Sequence, residues 1–512
     1  VFLRAMPMLA PVMHNVDMHV YFFFVSNRLI WNENRKRDWK TFITGGEDGL
    51  QNPTLPYFEI EDIQALMKHG SLWDHMGFPS TDSELYTMAD SAKKVRVCSL
   101  PFRAYQLVWN EYFRNQNVQN EIEFSFDEGE ETSQNITKLL SFRYKNWEKD
   151  YFTSCLPFAQ RGQAVRLPIE FIPEADSVVT APVTGSAAID SARNTSDSQQ
   201  SLSDITSHSS GGSLQFLSVD PNRFNNDDTV ELTGSVVGTA TINASEIAFT
   251  GLSIGTINDF RYCLRLQQWL ENNARCGSRY IEQLLAHFGV VSSDARLQRP
   301  ELLGGGKIPL LFTDVEQTSY GFQDSGSEAD VLGNLAGKGT LYGKTNGFKK
   351  YFEEHGILLG ILTIIPRTSY SQGLPRVWTA FDKTDWYFPE FANLGEQAVL
   401  NKEVYFSPVK NPLGQPDDEP DGVFGYQGRF TELRYIPSSV HGEMKSSLQY
   451  WHLGRLFPYE PALNSDFVTA NSRVNVFAMD DIRNSGYDPF VAQIHLDIKA
   501  VRPLPKYAVP TL

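Results

Sequence analysis

Long apolar runs are missing from this 512-residue chain. The strongest, Ile357 to Ile365, is about half of the roughly 20 residues that a bilayer-spanning helix needs, so no helical membrane insertion is expected. Cysteine is scarce too. Cys98, Cys155, Cys263 and Cys276 form no C-x-x-C pair and have no histidines clustered near them, which argues against a zinc site or a disulfide framework and fits assembly in a reducing cytosol. Basic residues are outnumbered, 45 Lys+Arg against 61 Asp+Glu for a formal charge of −16, so nucleic acid cannot be bound by the surface as a whole. Any such contact must be local. No H-E-x-x-H is present, and no pair of carboxylates is marked by a surrounding motif, so neither an enzyme nor a resident cofactor is expected.

What is abundant points to strands and loops. The chain holds 37 Gly, 27 Pro, 34 Phe and 21 Tyr, a profile of strand-favouring aromatics and frequent breakers. Its length calls for two or three domains or for one domain with long excursions, and this composition favours the second. Between Ala10 and Arg28, Met18, Val20, Phe22 and Phe24 alternate with Asp17, His19, Tyr21 and Phe23, as in a strand packed on both faces. Near the other end Ile494, Leu496 and Ile498 alternate with His495, Asp497 and Lys499, which predicts a second strand. Helices are local exceptions. One is predicted from Phe102 to Arg114, with Ser99 and Pro101 as start signals, and two short ones between Asn258 and Gly289, separated by Gly277.

The segment Asp176 to Thr256 stands apart. Ser, Thr, Gly and Asn dominate it, and nine acidic residues face only Arg193 and Arg223, so it is no core; Val230 to Phe249 alternates enough to form strands. An acidic insertion on an aromatic-rich scaffold reads as a solvent-facing protrusion. Within it Ser207, His208, Ser209, Asn225 and Asn226 are candidates for contact with a partner outside the chain. The abrupt start at Val1 leads us to expect that further residues precede it.

Several motifs have a plain reading beside a chemical one. His14, Asp17 and His19 could suggest a metal, yet a strand places His14 on the other face from Asp17 and His19. Asp417 to Gly422 resembles half of a calcium loop, but Gly428 stands where the bidentate Glu should fall, and an acidic surface turn fits better. Gly304-Gly-Gly-Lys307 lacks the spacing of a phosphate loop and reads as a flexible turn. Arg28, Arg35, Lys36, Arg37 and Lys40 outnumber Glu33 and Asp38 and interleave with Trp31 and Trp39. Arginine can pair phosphates and tryptophan can stack on unpaired bases, so the cluster suits single-stranded nucleic acid. Pairing with acidic neighbours at a subunit interface is the alternative.

The chain resembles the major capsid proteins of microviruses, small icosahedral single-stranded DNA phages, and within them the gokushovirus branch. The resemblance rests on the segments Tyr21 to Trp31, Leu100 to Arg114, Asp150 to Pro157, Arg275 to Tyr280 and Asp294 to Glu301. It continues in Pro366 to Tyr370, Arg434 to Pro437, Trp451 to Arg455 and Asp497 to Tyr507, and leaves out only Asp176 to Thr256. It implies a mainly β fold: one capsid domain over residues 1–512, an eight-stranded antiparallel jelly roll with long loop insertions and a few short helices. The insertion over residues 176–256 would gather at threefold axes and meet the host.

The same resemblance implies a homo-oligomeric T=1 shell, with pentamers and threefold contacts, around circular single-stranded DNA. A scaffolding protein, a small basic DNA-packaging protein and a pilot protein would be its partners, with a host cell-surface receptor outside. Aromatic loops such as Thr384 to Glu390 supply interface anchors. Two rivals remain at this point: a β-sandwich adhesin or glycan-binding spike, and a hydrolase on a jelly-roll scaffold.

Overall fold

The computed structural model describes residues 1–33, 37–80, 95–163, 165, 178–185, 236–243, 257–277, 279–291, 298–318, 333–407, 421–471, 473–479, 481–482 and 488–502. The chain divides into two compact units, Val1–Gln163 with Trp269–Leu512, and Ala164–Gln268. Among the described residues the strands are β1 (Phe2–Ala5), β2 (Val16–Ser26), β3 (Asn32–Glu33), β4 (Arg37–Asp38), β5 (Tyr57–Glu59), β6 (Arg96–Cys98) and β7 (Val178–Gly185). They continue as β8 (Val236–Asn243), β9 (Glu301–Glu316), β10 (Leu335–Tyr342), β11 (Gly356–Pro366), β12 (Glu396–Leu400), β13 (Val423–Gly428) and β14 (Phe490–Gln493). Helices are few, so the chain is mainly β.

The first unit is built on a six-stranded antiparallel sheet in the order β11-β2-β9-β10-β1-β14. Strand β9 serves two ladders end to end: Glu301 to Leu310 pair with β2, and Leu311 to Glu316 pair with β10. Strand β2 shows why its sequence is apolar on both registers. Val16, Met18 and Val20 join one core cluster with Leu3, Leu341 and Phe477, while Phe23 and Val25 point the other way into a second cluster. That second cluster is closed by Leu100, Ala104 and Val108 of the helix Leu100–Val108 together with Ile30 and Trp31. Each large side chain buried in this way contributes about 1.5–3 kcal/mol.

The predicted helices form, with changes at their ends. The Leu100–Val108 helix has Pro101 in its first turn and continues as a π-turn over Trp109–Phe113. Ser99 makes no side-chain cap; its hydroxyl donates instead to the buried carboxylate of Glu131. Further on, helices Ile257–Cys276 and Tyr280–Phe288 flank Gly277, whose φ of +93° breaks the helical path. Gly289 ends the second in the left-handed conformation, its N–H donating to the carbonyl of Leu285.

Two expectations are corrected. Gly304 to Lys307 is not a turn but the middle of β9, where Phe22, Tyr21, Val20 and His19 of β2 are the partners of Gly304, Gly305, Gly306 and Lys307. The glycines mark a close backbone approach beside a register shift between Phe22 and Phe23, and consecutive glycines in a sequence do not distinguish that from a turn. The C-terminal alternation lies past the last ladder pair: β14 ends at Gln493, opposite Phe2, and 494–502 runs exposed with no strand partner among the described residues. Alternation there does not make a sheet: the residues from Ile494 to Arg502 are all exposed, with no apolar face of the chain covering one side of them among the described residues.

In the second unit β7 and β8 form an antiparallel ladder from Val178 opposite Asn243 to Gly185 opposite Val236. The alternation read in Val230 to Phe249 therefore includes a strand. The division between the units falls within the helix Ile257–Cys276.

Candidate functional site

The largest exposed aromatic side chains of one segment lie between Arg376 and Phe391. Three short 3-10 turns, Arg376–Thr379, Lys383–Asp385 and Pro389–Phe391, fold it without burying its rings. Trp378 is 74 % exposed, Phe381 91 % and Trp386 56 %, with Tyr387 and Phe388 close behind. Exposed rings gathered in one segment have the composition of an interaction surface.

The segment is pinned from beneath. Arg376 donates to the carbonyl of Ala398 (2.7 Å) and to Oε1 of Glu403 (3.0 Å), and approaches Glu432 at 3.7 Å. Glu403 is buried and also accepts from the hydroxyl of Tyr151 and the N–H of Leu400, both at 3.0 Å. Burial pushes its carboxyl above the ordinary range, against the pull of the Leu400 N–H and the Arg376 charge. At the other end the Arg429 guanidinium donates to the carbonyl of Thr384, and Tyr387 meets Phe430 edge-on at 5.3 Å. Phe430 itself is left-handed (φ 59°), between the end of β13 and the 3-10 turn Thr431–Arg434. The rings are thus presented at low entropic cost, the property of a good interface anchor.

A second polar group lies on β2. Asp17 is held by Lys307 (2.9 Å) and Arg367 (3.3 Å); burial opposes its charge, but the two cations outweigh it and keep its carboxyl below the ordinary value. His19 sits 3.4 Å from Glu148 and accepts or donates at 3.2 Å to Tyr21, while His14 meets the carbonyl of Arg367. Burial and then Lys145 lower the pKa of His19, and burial brings Lys145 itself down to about 8. These residues satisfy one another, as a structural network does.

The basic candidates are dispersed. Arg28 is paired with Glu354 (2.8 Å), which also accepts from Ser26. Lys40 is exposed in the helix Trp39–Thr44, which Asp38 caps through the N–H of Thr41. Arg35 and Lys36 lie outside the described residues, as does the side chain of Arg37. Trp31 is corrected as a base-stacking candidate: it is wholly buried against Trp39 and Phe42. Composition alone does not say which tryptophans face inward. Ser207, His208, Ser209, Asn225 and Asn226 lie outside the described residues, and so does 408–420 with most of the Asp417 to Gly422 acidic turn. Its last acidic residue, Asp421, pairs with Lys402 at 2.6 Å.

A β framework that offers pinned aromatic rings, and whose buried acids are tied up by arginines, describes a protein that works by association with other chains. The match of its residues 1–512 to the family described as "Capsid protein (F protein)" makes the particular case plain: the chain belongs to that family. It is 32 % identical to "Capsid protein VP1" of Chlamydia phage 1, covering 99 % of this chain and 89 % of the relative. Identity is also 32 % to "Capsid protein VP1" of Bdellovibrio phage phiMH2K (99 % and 88 %) and 30 % to that of Spiroplasma virus 4 (99 % and 88 %). These are gokushovirus proteins, so the resemblance read from the sequence holds. The chain is a structural component of a single-stranded DNA phage virion that assembles into a multi-copy shell, not an enzyme. Gly251-Leu-Ser-Ile-Gly255 has the spacing of a hydrolase nucleophile elbow; it lies outside the described residues, in the Ser/Thr/Gly-rich insertion, and the family's role is structural. Among the described residues no helix is long and apolar enough to cross a membrane.

Proposed function

We propose that the subunit closes as an eight-stranded jelly roll and builds a T=1 icosahedral shell around circular single-stranded DNA, with the Arg376 to Phe391 segment as a principal contact between copies. The observation that carries this reading is the set of exposed rings, Trp378, Phe381 and Trp386 above all, held on a loop fixed by Arg376 and Arg429. Rings of this kind, desolvated at the centre of an interface, each cost about 2 kcal/mol or more when truncated. Changing Trp378, Phe381 and Trp386 together to Ala is expected to leave a folded subunit, because none of the three is buried. In sedimentation, with the other viral proteins present, closed particles should be replaced by small oligomers. Particles at the unmodified yield would sink the assignment of this loop.

The acidic insertion over residues 176–256 faces outward in this reading and takes part in attachment to a host receptor, with Ser207, His208, Ser209, Asn225 and Asn226 as the candidate contacts. Its aromatic content is too low for a core. Gly185 and Val236 are ladder partners, so a two-residue turn can replace 186–235 without parting β7 from β8. Particles carrying that replacement are expected to assemble normally and to lose adsorption to host cells; adsorption at the unmodified rate would refute the attachment role. A scaffolding protein, a small basic packaging protein and a pilot protein complete the proposed set of partners. An acidic subunit needs such a basic companion to offset the phosphates of the genome.

A further inference from the structure

The residues that follow β10 form a ribbon with two different edges. Phe348 rests on Phe22 of β2 (ring centroids 5.4 Å apart), Lys350 reaches Glu301 of β9 (2.7 Å), and Phe352 rests on Phe24 (4.7 Å). Every second side chain is therefore tied to the sheet, and the ones between, Lys349 and Tyr351, are turned outward. Lys349 is exposed and Tyr351 is 82 % exposed. Beside Tyr351 lies a pocket whose walls include Arg28, Arg299 and Lys350. Upstream, Tyr342 and Lys344 are exposed as well.

We propose that this ribbon, with Tyr351 as a stacking platform and Lys349, Arg28 and Arg299 as phosphate contacts, binds single-stranded DNA inside the particle. The inference rests on the shell reading above, since only an enclosed genome brings unpaired bases to this surface. A tyrosine fixed beside lysine and arginine side chains has the chemistry that single strands need: a flat ring for a base and cations for the backbone on either side. Charge favours the same ligand. The pocket walls balance Arg28, Arg299 and Lys350 against Glu301, Glu353 and Glu354, and the adjoining exposed Lys349 adds a positive charge beyond that balance on a chain whose total is −16. Lys350 pairs with Glu301 and Arg28 with Glu354, so the surplus positive charge rests on Lys349. Phosphates would meet Lys349 without having to displace a carboxylate, since Lys349 has no ion-pair partner among the described residues.

The test uses the full chain and a fluorescent oligothymidylate, titrated at several salt concentrations. Tyr351→Ala is expected to weaken binding about tenfold or more while leaving the salt slope unchanged, and Tyr351→Phe to retain the affinity. Lys349→Ala should flatten the slope of log K against log salt by about 0.7. Ultraviolet cross-linking of intact particles should then place nucleotide adducts on Tyr351. Unchanged affinity in both alanine variants, or adducts confined to other segments, would overturn the proposal. So would variants that bind the oligonucleotide normally yet fail to form particles, because the ribbon would then be a protein contact. Failure of the unmodified chain to form particles at all would count against the shell reading, whereas the titration bears on the ribbon alone.

Discussion

Replacing Arg103 by Ala is expected to cost the subunit about 3–5 kcal/mol of stability, a large share of the roughly 5–15 kcal/mol that holds a domain folded. Arg103 is 1 % exposed, in a helix between Phe102 and Ala104, which are wholly buried. Its guanidinium is spent entirely inside the chain: Nε and Nη2 meet Oε1 of Glu131 at 2.8 and 2.7 Å, Nη2 also donates to the carbonyl of Asp127 (2.9 Å), and Nη1 donates to that of Ile30 (3.2 Å). Glu131 accepts in addition from Ser99 and Asn135. Removing the arginine leaves a buried carboxylate with no counter-charge and two carbonyls with no donor, and the carboxylate cannot be reached by bulk water without opening the core. Ser99→Ala removes a single donor and should cost about 1–2 kcal/mol. Lysine at position 103 keeps the charge but not the fork, so Arg103→Lys should fall between the two. Urea unfolding followed by tryptophan fluorescence gives all three values. An Arg103→Ala subunit within about 1 kcal/mol of the parent would mean that the pair holds nothing together.

Little of that network could have been read from the chain. The helix was legible, because Phe102, Tyr105, Val108 and Trp109 recur at its spacing and Pro101 marks its start. Its arginine looked like any other, since the carboxylate it needs stands 28 residues away with no motif between them. The two-faced apolarity of β2 was legible for the opposite reason: both of its neighbours, β9 and β11, and both of its clusters leave their mark within eleven consecutive residues. Properties written locally survive the reading, and properties that arise between distant segments do not.

The same division runs through the functional surface. Trp386, Tyr387 and Phe388 stood out as a run of rings, whereas Trp378 and Phe381, more exposed than any of them, did not. Arg376 and Glu403, which fix that loop, are ordinary residues until the fold brings them to 3.0 Å. The ribbon at Lys349 and Tyr351 was missed because its pattern is read only against β2: Phe348 and Phe352 are anchors because Phe22 and Phe24 lie beneath them. A sequence signal existed, the aromatics Phe348, Tyr351 and Phe352 flanking Lys349 and Lys350, but without the sheet it does not say which of them face out. Trp31 shows the reverse error, an aromatic beside basic residues that is part of the core.

Gly305→Ala should destabilise the subunit by about 3 kcal/mol or more, although it adds one methyl group. A Cβ at Gly305 would stand 2.1 Å from the carbonyl oxygen of Val20 and 3.1 Å from its carbon, both backbone atoms of β2. Side chains can rotate away from such a contact, but a strand paired on both edges cannot, and β2 is held by β9 on one side and β11 on the other. The methyl therefore has to part β2 from β9 where the ladder already shifts register, between Phe22 and Phe23. Gly306 is the control. A Cβ there meets Cβ of Thr345 at 3.2 Å, in the irregular stretch after β10, which can yield by a few tenths of an ångström, so Gly306→Ala should cost under about 1 kcal/mol. The separation also carries to Lys307, whose ammonium ties β9 to Asp17 and to Glu148. Hydrogen exchange in the Gly305→Ala chain should accordingly rise first along β2 and β9 and leave the β12–β13 ladder, which shares no strand with them, protected. Equal costs for the two alanines would show that the close approach at Gly305 does not shape the sheet.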